Sequence, residues 1–438
     1  MGIKKYTDNF INKFPSIITN RPKIHTVCVD VNGLLYIACN KSTNKESFKS
    51  KLYKCFNTII KKNKPEFFAL FTDGQAVLAK AKLQIKRRNK FLYTDNTKNI
   101  STLNLTPGTP FMDFVDKIIK EYLDNLDIPS YYSPSIENNE GELKIFEWLK
   151  NNRIDENICI IGDDADIIVL SLLNTPLLNV YIYNHYKYIS LFKLIHNLAP
   201  IDSNRFNYKI HPIRKDIALL SILQGNDYNK KLSNFNDLFS AYEKFKPNNG
   251  YLINKNNSIN LNNFKIFLKN VYNNDTKKYP KANAKKYIDS LLWNLDLYTG
   301  KIISNFLPLE YNINIQTLLK YMPYKINKVT AVDNWIHPDI YLLLLMPSVG
   351  KELLPDNLKH FMDKDSPIID LFPDPCPECI FYKEKISELI PPDNNCSDEI
   401  KEEYKSLSRE INSCYNLHIE QEHNNDLLPI QRIQDALL

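Results

Sequence analysis

The stretch that most constrains this chain is Ile158-Cys159-Ile160-Ile161-Gly162-Asp163-Asp164-Ala165-Asp166-Ile167-Ile168. An apolar run long enough for a buried strand ends at a glycine, and the chain turns directly into a cluster of carboxylates. Asp166, Ile167, Ile168, Leu170 and Leu172 then follow in a pattern that suits a helix packed back onto a sheet. A near-continuous apolar strand ending in acids is what a parallel sheet shows at its carboxyl edge, where open α/β sheets place their sites. Aspartates this close repel one another unless cations or basic groups sit among them. Taken alone, the stretch reads equally well as a solvated turn in which Asp163 or Asp164 caps the next helix.

The same design recurs upstream. Residues 25–31 form a short apolar strand with Asp30 near its end, followed by Asn32-Gly33 and then a helix opening at Leu34-Leu35-Tyr36. Residues 48–63 carry Leu52, Tyr53, Phe56, Ile59 and Ile60 at helical spacing. Residues 66–72 make a second buried strand, which ends in Asp73-Gly74 ahead of another helix. A shared acidic edge accounts for Asp30, Asp73 and the Asp164/Asp166 pair better than separate capping accidents would. Helices are expected over 110–126 and 141–151, a strand over 180–183, and an apolar helix over 216–224 running into Gly225-Asn226-Asp227-Tyr228. Strands alternating with helices across 25–227 call for a parallel α/β sheet.

Beyond about 230 the composition shifts. Asn and Lys crowd 228–285, and Pro247-Asn248-Asn249-Gly250 and Asn254-Lys255-Asn256-Asn257 read as loops. A helix is expected over 284–299, an apolar cluster over 338–355, a Pro-rich segment over 373–377 and a charged helical tail from about 397. At 438 residues, with 24% charged and 43% hydrophobic, the composition is that of a soluble globular protein of two domains or one elaborated domain. A net charge of +6 permits an acidic partner without demanding one. No apolar leader follows Met1, and the richest apolar run, 341–346, is too short for a bilayer, so a non-secreted chain with no membrane partner and reduced thiols is expected.

The collected carboxylates are Asp30, Asp73, Glu140, Glu142, Asp164, Asp166 and Asp227. Apart from His25 no histidine is close to them in sequence, and no cysteine pair in this half has zinc spacing. All-oxygen ligands favour a hard cation, Mg²⁺ or Mn²⁺. Two such ions roughly 3.5–4 Å apart can clamp an in-line attack on phosphorus, which makes the expected chemistry phosphodiester hydrolysis. The helix after Asp73 extends this reading. Lys80, Gln84, Arg87 and Arg88 fall on one helical face. Such a basic stripe can hold a terminal phosphate through forked guanidinium contacts, although Lys86-Arg87-Arg88-Asn89-Lys90 by itself reads as a solvated charge run or a nuclear signal.

With these residues in hand, the chain resembles the Xrn family of 5′→3′ exoribonucleases. Met1-Gly2-Ile3 with Phe14-Pro15 is similar to the family's opening, and Asp30-Val31-Asn32-Gly33 to its Asp-Met-Asn-Gly motif. Asp73-Gly74 followed by Lys80, Gln84, Arg87 and Arg88 resembles its second acid and 5′-phosphate pocket. Thr106-Pro107-Gly108-Thr109-Pro110-Phe111-Met112 resembles its Thr-Pro-Gly-Thr-x-Phe-Met. Asn139-Glu140-Gly141-Glu142-Leu143-Lys144-Ile145 resembles Gly-Glu-Gly-Glu-His-Lys-Ile, with Asn139 and Leu143 as departures. Asp164-Ala165-Asp166 and Gly225-Asn226-Asp227-Tyr228 follow in the family's order, and 347–355 with 365–370 resemble its second region.

The resemblance implies an α/β, PIN/flap-nuclease-like parallel sheet flanked by helices, with a mostly helical C-terminal region. It implies a nuclease domain over 1–235, an Asn/Lys-rich connection over 236–280, a second region completing the pocket over 281–395 and a charged helical tail over 396–438. It further implies two Mg²⁺ or Mn²⁺ ions on the seven acids, with Lys80, Gln84, Arg87 and Arg88 selecting a 5′-monophosphate on single-stranded RNA. The implied setting is mRNA decay by a cytoplasmic monomer downstream of a decapping enzyme. Tyr36 stands where the family's base-stacking His lies, and Tyr can stack too. The family's stacking Trp has no clear counterpart: Trp293 lies in a helix resembling an earlier segment, and Phe306 matches by position alone. The chain is also shorter than the cellular enzymes and lacks their long C-terminal extensions.

Two other readings are kept. A flap-endonuclease-like DNA nuclease shares the acidic edge, but such proteins follow Gly-x-Asp-Tyr with a Gly-rich duplex-gripping module, whereas here no glycine appears between Asp227 and Gly250. A catalytically inactive RNA-binding scaffold would be expected to have lost acids or pocket arginines, and all are present. Cys376-Pro377-Glu378-Cys379 is a C-x₂-C pair with Cys396, Cys414 and His418 downstream. The loose spacing of 396 and 414 favours free thiols in a Pro-rich loop over a zinc site.

Overall fold

Seven strands line up in one sheet: β1 (Ile18–Thr19), β2 (Thr26–Asp30), β3 (Phe67–Phe71), β4 (Ser130–Ser133), β5 (Ile158–Ile161), β6 (Val180–Asn184) and β7 (Lys187–Ser190). Their order across the sheet is β1-β7-β6-β5-β2-β3-β4. The computed structural model describes residues 6–438 apart from 41, 90–99, 153, 163, 165, 176–178, 185–186, 199–211, 255, 273, 301–311, 324–334, 389–396 and 423–427. The Met1-Gly2-Ile3 opening, Asp163, Phe306 and Cys396 therefore lie outside the described residues.

From β6 to β4 the strands are parallel, and β7 and β1 extend the β6 edge antiparallel. The fold is thus the expected α/β class, with a mostly parallel sheet. β2 and β5 are buried along their whole length, which is why both read as unbroken apolar runs. β4, β1 and β7 carry no such signal. β4 is Ser-Tyr-Tyr-Ser, held at the other edge by pairing with β3 and by the Tyr132 hydroxyl, which bonds Asp116 and Thr72.

The chain divides into two units, Met1–Lys80 with Val115–Trp335, and Ala81–Phe114 with Ile336–Leu438. In the first, helices Asn32–Asn40, Lys45–Asn63, Gly141–Asn151, Asp166–Asn174, Pro212–Ile222 and Lys281–Tyr298 accompany the sheet. The Asn/Lys-rich stretch after 230 is more ordered than its composition suggests. Helices Phe235–Asn249 and Leu261–Asn270 bury Leu238, Phe239, Phe245, Phe264 and Phe267. Its asparagines serve as caps: Asn234 accepts from the Asp237 N–H and Asn260 from the Asn263 N–H. Pro247-Asn248-Asn249 close the first of these helices rather than forming a loop, and Gly250 ends it at φ 81°.

In the second unit, the Thr-Pro-Gly-Thr segment is a packed turn. The Thr109 hydroxyl donates to Asn104 O at 2.6 Å and Thr106 O at 2.9 Å, and Gly108, at φ 91°, lies against Leu342 of helix Pro338–Leu345. Arg432 of helix Ile430–Leu437 grips Asp370 with a fork of 2.7 and 2.8 Å. Among the described residues, no helix is long and apolar enough to cross a membrane.

One buried carboxylate ties the helical layer of the first unit together. Asp216 accepts from the N–H groups of Leu252 and Ile253, both at 2.9 Å, and from the Tyr242 hydroxyl at 2.7 Å. Burial pushes its carboxyl up from 3.8 to about 6. The folded chain therefore holds this proton more tightly than the unfolded one. The group favours folding most below about pH 4 and loses that advantage as pH rises through about 6. Asp216→Ala should cost about 2–4 kcal/mol in urea unfolding at neutral pH, because three donors are left buried and unpaired. Against Asp216→Asn, the wild-type stability advantage should shrink as pH is raised through that window. A constant difference would refute the titration argument.

Candidate active site

β5, β2 and β3 are neighbours in register, with Val29 opposite Ile161 and Asp30 opposite Phe71. The acids that end these strands consequently arrive at one edge. Asp30 terminates β2, Asp73 lies just past β3, and Asp164 and Asp166 follow β5. Glu140 and Glu142 come from the start of helix Gly141–Asn151, which is docked here because the Gly141 N–H donates to Asp73 Oδ1 at 2.7 Å. The Asn32 N–H donates to Asp30 Oδ1 at 3.1 Å, and Asn32 Oδ1 accepts from the Asp73 N–H at 3.3 Å. One carboxylate oxygen each from Asp30, Asp73 and Glu142 then lie within 4.8 Å of one another. A Cβ on Gly141 would stand 2.8 Å from Asp30 Oδ1 and 3.0 Å from Phe71 O, so glycine is what lets the helix start come this close.

Asn139, one of the two departures from the Xrn-like motif, has a backbone reason to be tolerated. Its φ is 88°, in the left-handed region where Asn is the best substitute for Gly. There its N–H donates to Gln75 O at 2.8 Å and its carbonyl accepts from Gly74 N–H at 2.9 Å, tying the Glu140 segment to the segment after Asp73.

The remaining acids meet around Lys80. Its ammonium bonds Glu140 and lies 3.4 Å from Asp227 Oδ2, and all three side chains are largely buried. The Tyr228 hydroxyl donates to Glu140 Oε2 at 3.2 Å. Asp227 sits on a turn held by Asn226, whose Oδ1 accepts from the N–H groups of Tyr228 and Asn229 at 3.0 and 2.8 Å. Asp166 accepts from the Tyr298 hydroxyl, which in turn accepts from Asn226 Nδ2 at 3.0 Å. Asp166 Oδ1 is buried with no hydrogen-bond partner among the described residues. The Asp166 N–H donates to Asp164 Oδ1 at 3.1 Å.

Burial and mutual repulsion raise most of these carboxyls. Asp30 is held well above its usual range by burial and by Asp73, and Glu142 by burial, Glu140 and Asp30. Burial likewise raises Asp73 and Glu140, and burial with the Asp164 charge pushes Asp166 up to about 7. Asp164 differs: burial opposes its charge, whereas the Lys80 charge and the Asp166 N–H favour it. Lys80 is held well above the lysine range, because the acids around it outweigh the burial that opposes its charge. An all-oxygen cluster this acidic, with an unpartnered buried carboxylate oxygen, fits a hard divalent cation.

Of the other expected site residues, Gln84, Arg87 and Arg88 share helix Leu78–Arg88 with Lys80 but fall in the second unit. There Gln84 Oε1 accepts from the Tyr341 hydroxyl, and Arg88 Nε donates to Thr106 Oγ1 at 2.9 Å. Tyr36, on helix Asn32–Asn40, is 49% exposed. Sequence reasoning did not anticipate Tyr298 or the bracing role of Asn226. It also missed Lys144, whose ammonium donates to Thr72 O and Pro134 O, both at 2.8 Å, and which burial lowers to about 8. Lys144 was visible within a motif, whereas Tyr298 carried no signal, being an apolar-face residue of a distant helix.

Glu142→Gln removes one of the mutually repelling charges. The variant should be about 1 kcal/mol more stable than wild type in EDTA, melting roughly 2–4 °C higher. It should also lose most of the stabilisation that millimolar Mg²⁺ gives the wild type. A wild-type melting temperature indifferent to Mg²⁺ and Mn²⁺ would rule out the cation site.

Comparison with known proteins adds an independent line. Residues 89–183 match the family model described as XRN 5′-3′ exonuclease N-terminus. A protein of Acanthamoeba polyphaga mimivirus, a 5′-3′ exonuclease by name, is 27% identical over 262 residues, 51% of this chain and 41% of its own length. The 5′-3′ exoribonuclease 2 of Cryptococcus neoformans is 37% identical over 93 residues, 18% of this chain and 8% of its own. The chain thus spans less than half the length of these relatives. Among solved structures, the catalytic core of Rad2 in complex with a DNA substrate overlaps at a TM-score of 0.37 and 18% identity, covering 83% of this chain and 98% of that one. The bacteriophage T5 flap endonuclease overlaps at a TM-score of 0.34 and 13% identity, covering 63% and 89%. The family-model match over residues 89–183 and the mimivirus relative agree in what this chain is similar to: the N-terminal part of Xrn-type 5′-3′ exonucleases.

Proposed function

We propose that the chain is a metal-dependent 5′→3′ exoribonuclease that hydrolyses single-stranded RNA carrying a 5′-monophosphate to mononucleotides. The observation that carries this reading is the meeting of Asp30, Asp73 and Glu142 oxygens within 4.8 Å at the ends of adjacent parallel strands. In this reading Asp30, Asp73, Glu140, Glu142, Asp164, Asp166 and Asp227 are the catalytic and metal-binding carboxylates for two Mg²⁺ or Mn²⁺ ions. When bound, such ions activate water and stabilise the leaving oxygen of a phosphodiester.

The chain's own contribution is to keep the carboxylates aimed and charged. Lys80 offsets Glu140 and Asp227, Tyr228 orients Glu140, and Tyr298 with Asn226 orients Asp166. Lys80, Gln84, Arg87 and Arg88 are read as the 5′-phosphate group because one helix carries them on one face. Tyr36 is read as the base-stacking residue because it is half exposed on the helix that starts beside Asp30. A role in mRNA decay as a cytoplasmic monomer, downstream of a decapping enzyme, belongs to the same proposal and rests on the family resemblance alone.

The test is a paired digestion in Mg²⁺ of single-stranded RNA bearing a 5′-monophosphate, a 5′-triphosphate or a 5′-hydroxyl, beside matching DNA and a DNA flap. Mononucleotides released only from the 5′-monophosphate RNA are expected. Cleavage at the flap junction would move the protein to the DNA-nuclease reading, and binding without cleavage to the scaffold reading. Asp164→Ala and Asp166→Ala should each slow cleavage by at least about 10²–10³-fold, the scale for removing one group that stabilises developing charge, while RNA is still bound. Arg87→Ala should weaken the 5′-monophosphate preference by roughly 10-fold, the scale of one charge-assisted hydrogen bond. An unchanged end preference would remove Arg87 from the phosphate group.

A further inference from the structure

Away from the acidic edge, the second unit holds a cluster that the nuclease reading does not use. Helices Pro377–Glu388 and Asp398–Glu422 pack as a pair, and Cys376, Cys379 and His418 meet there. One ligand atom from each lies within 4.8 Å of the others, with Cys376 Sγ 3.4 Å from His418 Nε2. In a tetrahedral zinc site, Zn–S and Zn–N bonds of about 2.3 and 2.0–2.1 Å put sulfur and nitrogen roughly 3.5 Å apart. The observed separation is that of two corners of such a tetrahedron. The other ring nitrogen, His418 Nδ1, lies 3.2 Å from Glu378 Oε2, the carboxylate contact that orients a metal-binding histidine. Cys379 is fully buried.

Two further observations point the same way. Cys414 is exposed and lies outside this three-residue cluster, but it precedes His418 by one helical turn and so lies on the same helix face. The Tyr382 ring is 6.1 Å from His418. The ligand spacing becomes C-x₂-C followed by C-x₃-H, the pattern of zinc modules. Among the described side chains, the helix pair also has little apolar core to hold it together. Its helices are 12 and 25 residues long, yet among their described side chains only Cys379 and Tyr415 are buried, while Phe381, Ile400, Leu407 and Leu417 are exposed. An element with so small a core needs a staple. Thiolates with one imidazole select zinc over the hard cations suited to the carboxylates.

We propose that Cys376, Cys379, Cys414 and His418 bind a structural zinc ion that pins helix Pro377–Glu388 to helix Asp398–Glu422. The proposal departs from the free-thiol reading of the sequence because the fold brings His418 beside Cys376 and Cys379. The proposal is independent of the nuclease reading, and its test does not use cleavage.

The full chain, purified under reducing conditions without added metal, should carry one equivalent of zinc by mass spectrometry. Replacing that zinc with Co²⁺ should give a thiolate-to-cobalt charge-transfer band and the intense visible bands of a tetrahedral site. Carboxylate-bound Co²⁺ at the acidic edge cannot produce the charge-transfer band. Cys376→Ser, Cys379→Ser and His418→Ala should each abolish stoichiometric zinc, and Cys414→Ser should weaken its retention against a chelator at least tenfold. Absence of both zinc and the cobalt–thiolate band in the wild-type chain would overturn the site, whether or not the variants fold. Full zinc retention in any of the first three variants would overturn it as well, and unchanged retention in Cys414→Ser would overturn the four-ligand assignment.

Discussion

The first unit is built around the cost of crowding carboxylates at the end of a buried sheet. Asp30, Asp73, Glu140, Glu142 and Asp166 are buried together or nearly so, and each is harder to ionise than a free acid. Such a cluster opposes folding unless something else offsets it. Hydrophobic burial in β2, β3 and β5 does the holding. These strands are adjacent inside the sheet, their parallel pairing fixes the register, and the register places the acids at one edge. The repulsion is a property of the arrangement, so it cannot be relaxed without dismantling the strands that carry it.

Polar groups around the edge mitigate that cost and set direction. Lys80 is an internal counter-charge, and its position between Glu140 and Asp227 lets both remain near each other. Tyr228, Tyr298 and Asn226 satisfy chosen oxygens of Glu140 and Asp166 and leave Asp166 Oδ1 without a partner among the described residues. Backbone geometry contributes as much as charge. Gly141 permits the close approach of a helix start to Asp30, and Asn139 adopts the left-handed turn that joins the Glu140 segment to the residues after Asp73. The second unit follows another logic. Among the described side chains its helix pair buries only Cys379 and Tyr415, so a cluster of soft ligands is assigned the stabilising role that a core has elsewhere.

Much of this was legible in the chain. Buried parallel strands must be apolar throughout, so β2, β3, β5 and β6 announce themselves, and acids directly after them stand out against that background. The edge strands did not, because β1 is two residues long and β4 has polar ends, so neither has a pattern to read. Asparagine-rich composition suggested loops after 230, yet Asn234 and Asn260 cap helices whose apolar faces are buried. Local composition cannot distinguish an asparagine that ends a helix from one that replaces it.

Sequence by itself determined which residues carry charge, which segments must be buried and the order of the motifs, because hydrophobic period and residue chemistry are local properties. Tertiary structure alone decided which of those residues meet. Strand order put Asp30 between the β3 and β5 acids, and long-range packing brought Tyr298 to Asp166 across 132 positions of chain. In the same way it brought His418 to Cys376 across 42. Proximity between distant segments depends on how apolar faces pack throughout the unit, and no local stretch of sequence contains that information.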